Sequence, residues 1–400
     1  MVDILDLVVT FASFYGIYAI LAISLNLEYG FAGQPNFGQV LFYGLGAFVA
    51  AIVAANLLPY FARLPIGNIC TAQAGFEVRY AIGTNDPGIA LSVWVIALIL
   101  AMIAGGIIGL VVSYPAIRVK EEWYLSMILL VAGEAFVIVV DNTPQIGCGF
   151  TGVDYITNPF AWVFQRYAST PFATSNLGLD IPGVIYAIVI LVLAVICYVI
   201  AQRLVNSPYG RLLKSIRDDK VAAESLGKDV AKVRRRIMII GSVMAGLAGG
   251  LYVYYIGTAS TDDYVPAVTF TIWVMMILGG YANNKGVLAG ALVLTLLERG
   301  AVLISILIQP IFPNFNTSVL IYLEYVVEAV ILLLLLMFRP KGLIPETRIK
   351  TKAYELFDFG KQGKSQPKTV PVEQPVAPSI PKTGKEIASS EVEKTKSQPG

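Results

Sequence analysis

Histidine is missing from all 400 residues. That excludes histidine-ligated metal centres, haem held by histidine and histidine-based catalytic triads, and no metal site is expected on the chain. Cysteine is nearly missing: Cys70, Cys148 and Cys197 are the three present, and no two form a Cys-x-x-Cys pair. No Gly-x-x-x-x-Gly-Lys-Ser/Thr segment occurs. The chain therefore lacks the loop whose backbone N–H groups cradle nucleotide phosphates, and it is not expected to hydrolyse ATP itself. Charge is scarce too, at 14% of residues against 56% hydrophobic, with a mean hydropathy of +0.70. A soluble domain of this length needs far more polar surface. The net charge is only +2, and no nucleic-acid partner is expected. An enzyme lacks its usual equipment here, so no catalytic residue is assigned and no cofactor is expected on this chain.

What is abundant is uninterrupted apolar sequence. About 20 such residues cross the hydrocarbon core of a bilayer as a helix. Nine candidate stretches run at roughly 4–24, 37–58, 89–113, 123–140, 182–204, 237–256, 264–281, 286–308 and 319–338. Helices are the expected form because each satisfies its own backbone hydrogen bonds in lipid. The alternating ten-residue segments of a membrane barrel do not occur. The expected fold class is all-α: a polytopic membrane protein of about nine transmembrane helices, range eight to ten. The first stretch has no basic residue before it and no small-residue cleavage site, so it reads as a retained span.

Basic residues are distributed unevenly. Of 29 Lys and Arg, ten fall between Arg203 and Arg236, while Arg63, Arg79 and Arg166 are the three in the loops assigned outside. Basic residues near membrane ends mark the cytoplasmic side, which places the N-terminus outside and the C-terminus in the cytoplasm. Residues 1–345 read as a transmembrane domain with a cytoplasmic loop at 205–236. Residues 346–400 read as a cytoplasmic tail, expected to be disordered from about residue 361, where Pro, Lys, Glu, Ser and Gln dominate. Cys70 and Cys148 both fall in outer loops, where a disulfide persists once formed. Sequence leaves open whether they are bonded or are two free thiols. Ser242, Gly246 and Gly250, like Gly105 and Gly109, recur at a spacing of four, which permits close helix contact within the subunit or across a dimer.

The segment Ser207–Arg236 carries the most information. Asp218 or Asp219 can cap a short helix, Lys220–Leu226, by accepting orphan backbone N–H bonds. Gly227 can close it in the left-handed conformation, and Asp229 can start the next helix. A short rigid helix between two spans would transmit a push from a docked partner to the membrane.

Three blocks carry a resemblance. GRLLKSIRDDKVAAESLGKDVAKVRRR resembles the cytoplasmic loop of permease subunits of bacterial and archaeal branched-chain amino-acid ABC transporters, more narrowly the LivM type. LNLEYGFAGQPNFGQVLFYGLGAFVAA (Leu25–Ala51) resembles that family's opening signature. Phe338-Arg339-Pro340-Lys341-Gly342-Leu343 resembles its closing signature. The similarity spans about residues 15–345. There are departures: Gln39 stands where family members often carry His, and the family's Gly-Gly-x-Gly-Thr-x-x-Gly stretch appears as Gly279-Gly280-Tyr281-Ala282-Asn283-Asn284-Lys285-Gly286. Residues 59–88 and 141–181 are long for linkers.

The resemblance implies a pore-forming subunit of an ATP-driven importer of amino acids, branched-chain (Leu, Ile, Val) by family expectation, in the plasma membrane of a prokaryote. It implies that ATP and Mg are held by two separate cytoplasmic ATPase subunits. It further implies a second homologous permease subunit and an extracellular solute-binding protein, with membrane lipids around the spans. Ala222, Ala223, Glu224 and Gly227 would form the coupling element, flanked by Arg211, Arg217 and Asp219. The alternative is a proton-coupled secondary transporter of small polar solutes, with acidic residues in the spans as relays. A membrane scaffold is a third reading.

Within the membrane, Gly30, Gly33, Pro35 and Gly38 crowd a stretch that also holds Asn26, Gln34, Asn36 and Gln39. Broken helices build substrate sites, but a tight turn between spans has the same composition; 25–36 is a candidate re-entrant segment. Glu298 and Arg299 lie mid-span, and Glu134, Glu324 and Glu328 are the other intramembrane carboxylates singled out. Such residues are candidates for a substrate path or gate by default, and a structural polar network is the competing reading.

Overall fold

A computed structural model describes residues 4–64, 70, 79–118, 122–167, 180–308, 326–327, 329–334, 337–339 and 342–346. In chain order the helices are α1 (Ile4–Leu25), α2 (Gln39–Phe61), the short α3 (Ala81–Asn85), α4 (Pro87–Arg118), α5 (Glu122–Asn142), the short α6 (Pro144–Gly147) and α7 (Ala161–Tyr167), α8 (Ile181–Asn206), α9 (Pro208–Asp218), α10 (Lys220–Ser225), α11 (Val230–Ile256), α12 (Pro266–Gly279) and α13 (Asn284–Ile308). Strand-like pairing among the described residues is confined to one isolated bridge, Val153 with Ala259. The fold is all-helical, as composition demands.

Among the described residues, six helical segments are long and apolar enough to cross a bilayer: Asp6–Phe31, Gln39–Phe61, Pro87–Pro115, Trp123–Asn142, Ile181–Asn206 and Val230–Ile256. They coincide with six of the nine expected stretches. The others stand differently. α12 has 14 residues, about 21 Å at helical rise, short of the roughly 30 Å core. α13 has 25 residues but carries Lys285, Glu298 and Arg299. The stretch 319–338 is described only in part, and Glu324 and Glu328 lie outside the described residues, as does the chain from 347 onward.

The six sort into two groups by packing. α1, α2 and α11 are largely buried, while α4, α5 and α8 each leave an apolar stripe open. On α4 the stripe is Val95, Ile99, Ile103, Ile107 and Val111, one residue every four, the repeat of a single helix face. Water would penalise that face at roughly 25 cal/mol per Å²; lipid does not. The small residues explain the inner group. A methyl on Gly105 would overlap the Ser242 carbonyl, one on Gly109 the Ser242 hydroxyl, and one on Gly46 the Gly246 backbone. The small-residue faces therefore close α11 against α4 and α2 inside the subunit.

The two long linkers fold onto each other. Cys70 and Cys148 form a disulfide across 78 residues, with Cα atoms 5.3 Å apart. Arg79 donates to the Asp154 carbonyl, and Thr157 Oγ1 donates to the Arg79 carbonyl at 3.2 Å. Val153 and Ala259 exchange backbone bonds of 3.1 and 3.0 Å, and the Ile156 N–H donates to Gly257 at 2.8 Å. These contacts cluster at the Ile256 end of α11, opposite its Val230 end.

Candidate functional site

α1 does not stop at Leu25. Asn26–Phe31 continues it as a wide π-type turn, a feature concentrated at functional sites, and irregular chain follows to Gly38. Backbone freed at membrane depth must find partners within the protein, and here it does. Trp273 Nε1 donates to Asn36 O at 2.9 Å, Ser126 Oγ to Pro35 O at 3.1 Å, and the Val40 N–H to Thr269 Oγ1 at 3.0 Å. The side chains form a continuous relay. Asn36 Nδ2 donates to Glu28 Oε2 at 2.6 Å and to Gln39 Oε1 at 3.1 Å. Gln39 Nε2 donates to Ser24 Oγ at 2.6 Å, and Ser24 Oγ to Gly241 O at 2.9 Å. Glu28 Oε1 and Gln34 Oε1 are buried without a hydrogen-bond partner among the described residues.

Asn26 ties this break to the turn between α12 and α13. Its Nδ2 donates to Asn284 Oδ1 and its Oδ1 accepts from the Ala282 N–H, both at 2.8 Å; Asn284 Nδ2 continues to Gln202 Oε1 at 3.0 Å. Gly30 has to be glycine, because a Cβ there would overlap Asn26 Oδ1 and crowd the Ala282 nitrogen. The same turn receives the closing segment: the Leu343 and Ile344 N–H groups donate to Leu278 O at 2.9 Å and Gly279 O at 3.0 Å. A Cβ on Gly342 would crowd the Gly280 backbone. The turn Gly279–Gly286 and residues 342–344, far apart in sequence, thus pack together.

The cytoplasmic loop is built locally. The Asp219 carboxylate accepts from the Ala222 N–H at 2.9 Å and starts α10. Gly227 (φ 73°) ends it: its N–H donates to Glu224 O at 2.9 Å, and the Lys228 N–H to Ala223 O at 3.1 Å. This is a left-handed helix stop with both orphan carbonyls satisfied. Asp229 caps α11 through the Lys232 N–H at 2.9 Å, and these bonds hold the Asp229 carboxyl below its usual range. Ala223 is buried, while Val221 and Leu226 are 72% and 78% exposed. Ala222, Glu224 and Gly227 are exposed with them, and so is Arg211 on α9.

Arg217 joins the loop to the break. Its Nη1 donates to the Gly30 carbonyl at 2.7 Å, and its aliphatic stem lies against Gly33, whose φ is 68°. Nη2 reaches Glu346 at 3.0 Å, and Lys214 Nζ reaches the same carboxylate at 2.8 Å. Glu346 follows the closing segment. Loop, break and closing segment therefore meet around one guanidinium, at the rim of a cavity of about 590 Å³ that Tyr29, Trp123 and Tyr281 also line.

The remaining candidates separate. Glu298 and Arg299 line a second cavity with Tyr18, Tyr252 and Asp263. Although successive residues diverge by about 100° on a helix, their long side chains bend back to 3.8 Å. Burial raises the Asp263 carboxyl above its usual range, opposed by a hydrogen bond from Tyr252. Glu134 joins neither cavity and is exposed on α5. Sequence reasoning passed over Glu28, Lys214 and Glu346. Glu28 had a usable signal, an ionisable residue inside an apolar stretch. Glu346 had none, since its partners lie 129 and more residues away.

Similarity to known proteins extends over most of the chain. The family model described as branched-chain amino acid transport system / permease component matches residues 7–337. The probable branched-chain amino acid transport permease protein LivM of Methanocaldococcus jannaschii is 31% identical over 354 residues, covering 87% of this chain and 96% of that protein. The high-affinity LivM permease protein of Escherichia coli is 24% identical over 347 residues, 84% of this chain and 69% of that protein. The guanosine ABC transporter permease protein NupQ of Bacillus subtilis is 25% identical over 244 residues, 58% of this chain and 70% of that protein. No solved structure matches. A match across residues 7–337, on a scaffold with six membrane-length helices, makes this a multi-pass membrane protein. The chain belongs to the permease component family of the branched-chain amino acid transport system.

Proposed function

We propose that the chain is the pore-forming permease subunit of an ATP-driven importer of branched-chain amino acids in the plasma membrane. It spans the membrane nine times, with α12, α13 and the 319–338 stretch completing the set, the N-terminus outside and the C-terminus in the cytoplasm. It pairs with a second homologous permease, receives substrate from an extracellular binding protein, and docks two ATPases that hold ATP and Mg. One observation carries this reading. α10 offers Val221, Glu224 and Leu226 to a partner, while the adjoining Arg217 grips the carbonyl of Gly30 in the broken helix. A partner that moves the loop pulls directly on the break. Closure of the ATPases on ATP would shift α10, and through Arg217 the break, between two arrangements of the pore.

The test is a pull-down of the tagged chain from native membranes, followed by leucine uptake. The unaltered chain recovers a P-loop ATPase pair and a second permease. Glu224→Lys combined with Leu226→Glu, both at exposed positions, is expected to abolish ATPase recovery and uptake while leaving the second permease bound. Intact docking and uptake in that variant would sink the assigned lever. Recovery of the chain alone, moving solute in a proton gradient without ATP, would instead support a secondary transporter.

A further inference from the structure

The structure assigns a site for the substrate: we propose that the cavity beside Arg299 binds a zwitterionic α-amino acid with an aliphatic side chain. The assignment rests on the importer reading above and adds to it the groups that recognise the ligand. The cavity holds about 440 Å³ and lies between α1, α2, α11, α12 and α13. Tyr252 and the exposed Ile256, at the end of α11, line it. α11 runs 27 residues from the loop to that point, about 40 Å at helical rise. The cavity therefore sits at the end of the pore domain opposite the ATPase loop, where an incoming solute arrives first.

Its chemistry is two-signed. The Arg299 guanidinium rests 3.5 Å from the centre of the Phe14 ring, which holds the charge in place without using its N–H donors in the plane. Among the described residues its nearest carboxylate oxygen, on Glu298, is 3.8 Å away, beyond hydrogen-bond length. Arg299 Nε is buried and has no hydrogen-bond partner among the described residues. A planar fork with spare donors matches a carboxylate. Asp262, Asp263 and Glu298 face the same space, so carboxylates outnumber the guanidinium. A purely anionic ligand is repelled by that excess, and a ligand that also carries an ammonium group is favoured. The rest of the wall mixes aromatic and aliphatic side chains, Phe14, Tyr18, Ile256, Val265 and Val268, with the Thr271 hydroxyl, and the aliphatic part suits a branched hydrocarbon side chain.

The test places a thiol on the wall. Ala267 is exposed to the cavity, and the described free cysteine, Cys197, is buried. In the assembled complex carrying Ala267→Cys, leucine is expected to slow modification by N-ethylmaleimide. Isocaproate, which lacks the ammonium, and isoamylamine, which lacks the carboxylate, are expected not to. Adding Arg299→Gln should raise the leucine concentration for half-protection about tenfold or more, the loss of one charge-assisted hydrogen bond. Arg299→Lys, which keeps the charge without the fork, should raise it less. Equal protection by isocaproate, or unchanged protection in Arg299→Gln, overturns the assignment. ATP-driven leucine uptake by the wild-type complex without any protection overturns the cavity alone. Absence of such uptake overturns the importer reading, and the cavity assignment with it.

Discussion

Asn26–Gly38 and Asp219–Asp229 are both places where a helix stops, yet they are held by opposite means. The first is buried and borrows its partners from across the fold: Asn284, Trp273 and Ser126 each satisfy one group in it, and Thr269 and Gly241 hold the flanking Val40 and Ser24. The second is exposed and satisfies itself within three to five residues, through Asp219, Gly227 and Asp229. A break built on distant partners forms only when the whole domain is assembled, and it moves only when those partners move. A loop built on its own caps keeps its shape while its surroundings change. That division suits a machine in which one part is pushed as a rigid piece and the other changes shape. Arg217, on α9 just before the second, is the residue that joins it to the first.

The largest effect is expected where the comparison is sharpest, at Gly30. A Cβ there meets Asn26 Oδ1 and the Ala282 nitrogen, and neither can withdraw without breaking the bond between them. Gly30→Ala should cost about 3 kcal/mol, the upper range for forced overpacking. It should lower the thermal midpoint of the purified complex by several degrees and reduce its yield. A variant that melts with the wild type would show that the break is looser than its hydrogen bonds describe.

The two regions were not equally legible in the sequence. The loop was read closely: its side-chain caps act at a spacing of three residues, so Asp219, Gly227 and Asp229 announce the helix between them. The break was read only by composition. Gly30, Gly33, Pro35 and Gly38 marked a weak helix, but a turn between spans has the same residues, and the partners that decide between them come from α5 and from α11 to α13. Asn26 and Asn284 are 258 positions apart, and no local pattern joins them. The stretches beyond the six membrane-length helices were harder to read for the same reason. α12 has the apolar composition of a span but not the length, since its end is fixed by the Gly279–Gly280 turn and the closing segment that pairs with it.

Arg217→Ala tests the joint itself, with an intermediate effect. It leaves the Gly30 carbonyl without its charged donor and Glu346 with Lys214 alone. The lost bond is a charge-assisted one, worth about 2 kcal/mol. Uptake should fall tenfold or more while the ATPases still co-purify, because α10 is capped independently. Arg217→Lys should restore the pairing with Glu346 but recover only part of the uptake, since an ammonium lacks the second and third arms of the fork. If the ATPases are lost along with uptake, Arg217 supports the docking surface and does not transmit its motion.

Gly227 supplies the smallest and most discriminating test, because it is the same residue type as Gly30 held for a different reason. Its φ of 73° disfavours side chains, but nothing lies within 4 Å of where a Cβ would be. Gly227→Ala should therefore cost only about 1 kcal/mol, the left-handed penalty of an L-residue. Gly227→Asn should cost less, since Asn tolerates that conformation. The melting temperature should barely move in either. ATPase docking should weaken in the order Gly, Asn, Ala if the left-handed stop is what fixes the angle between α10 and α11. Equal weakening by both substitutions would mean that the partner reads the bare backbone at Gly227, so that the glycine belongs to the contact surface and not to the hinge behind it.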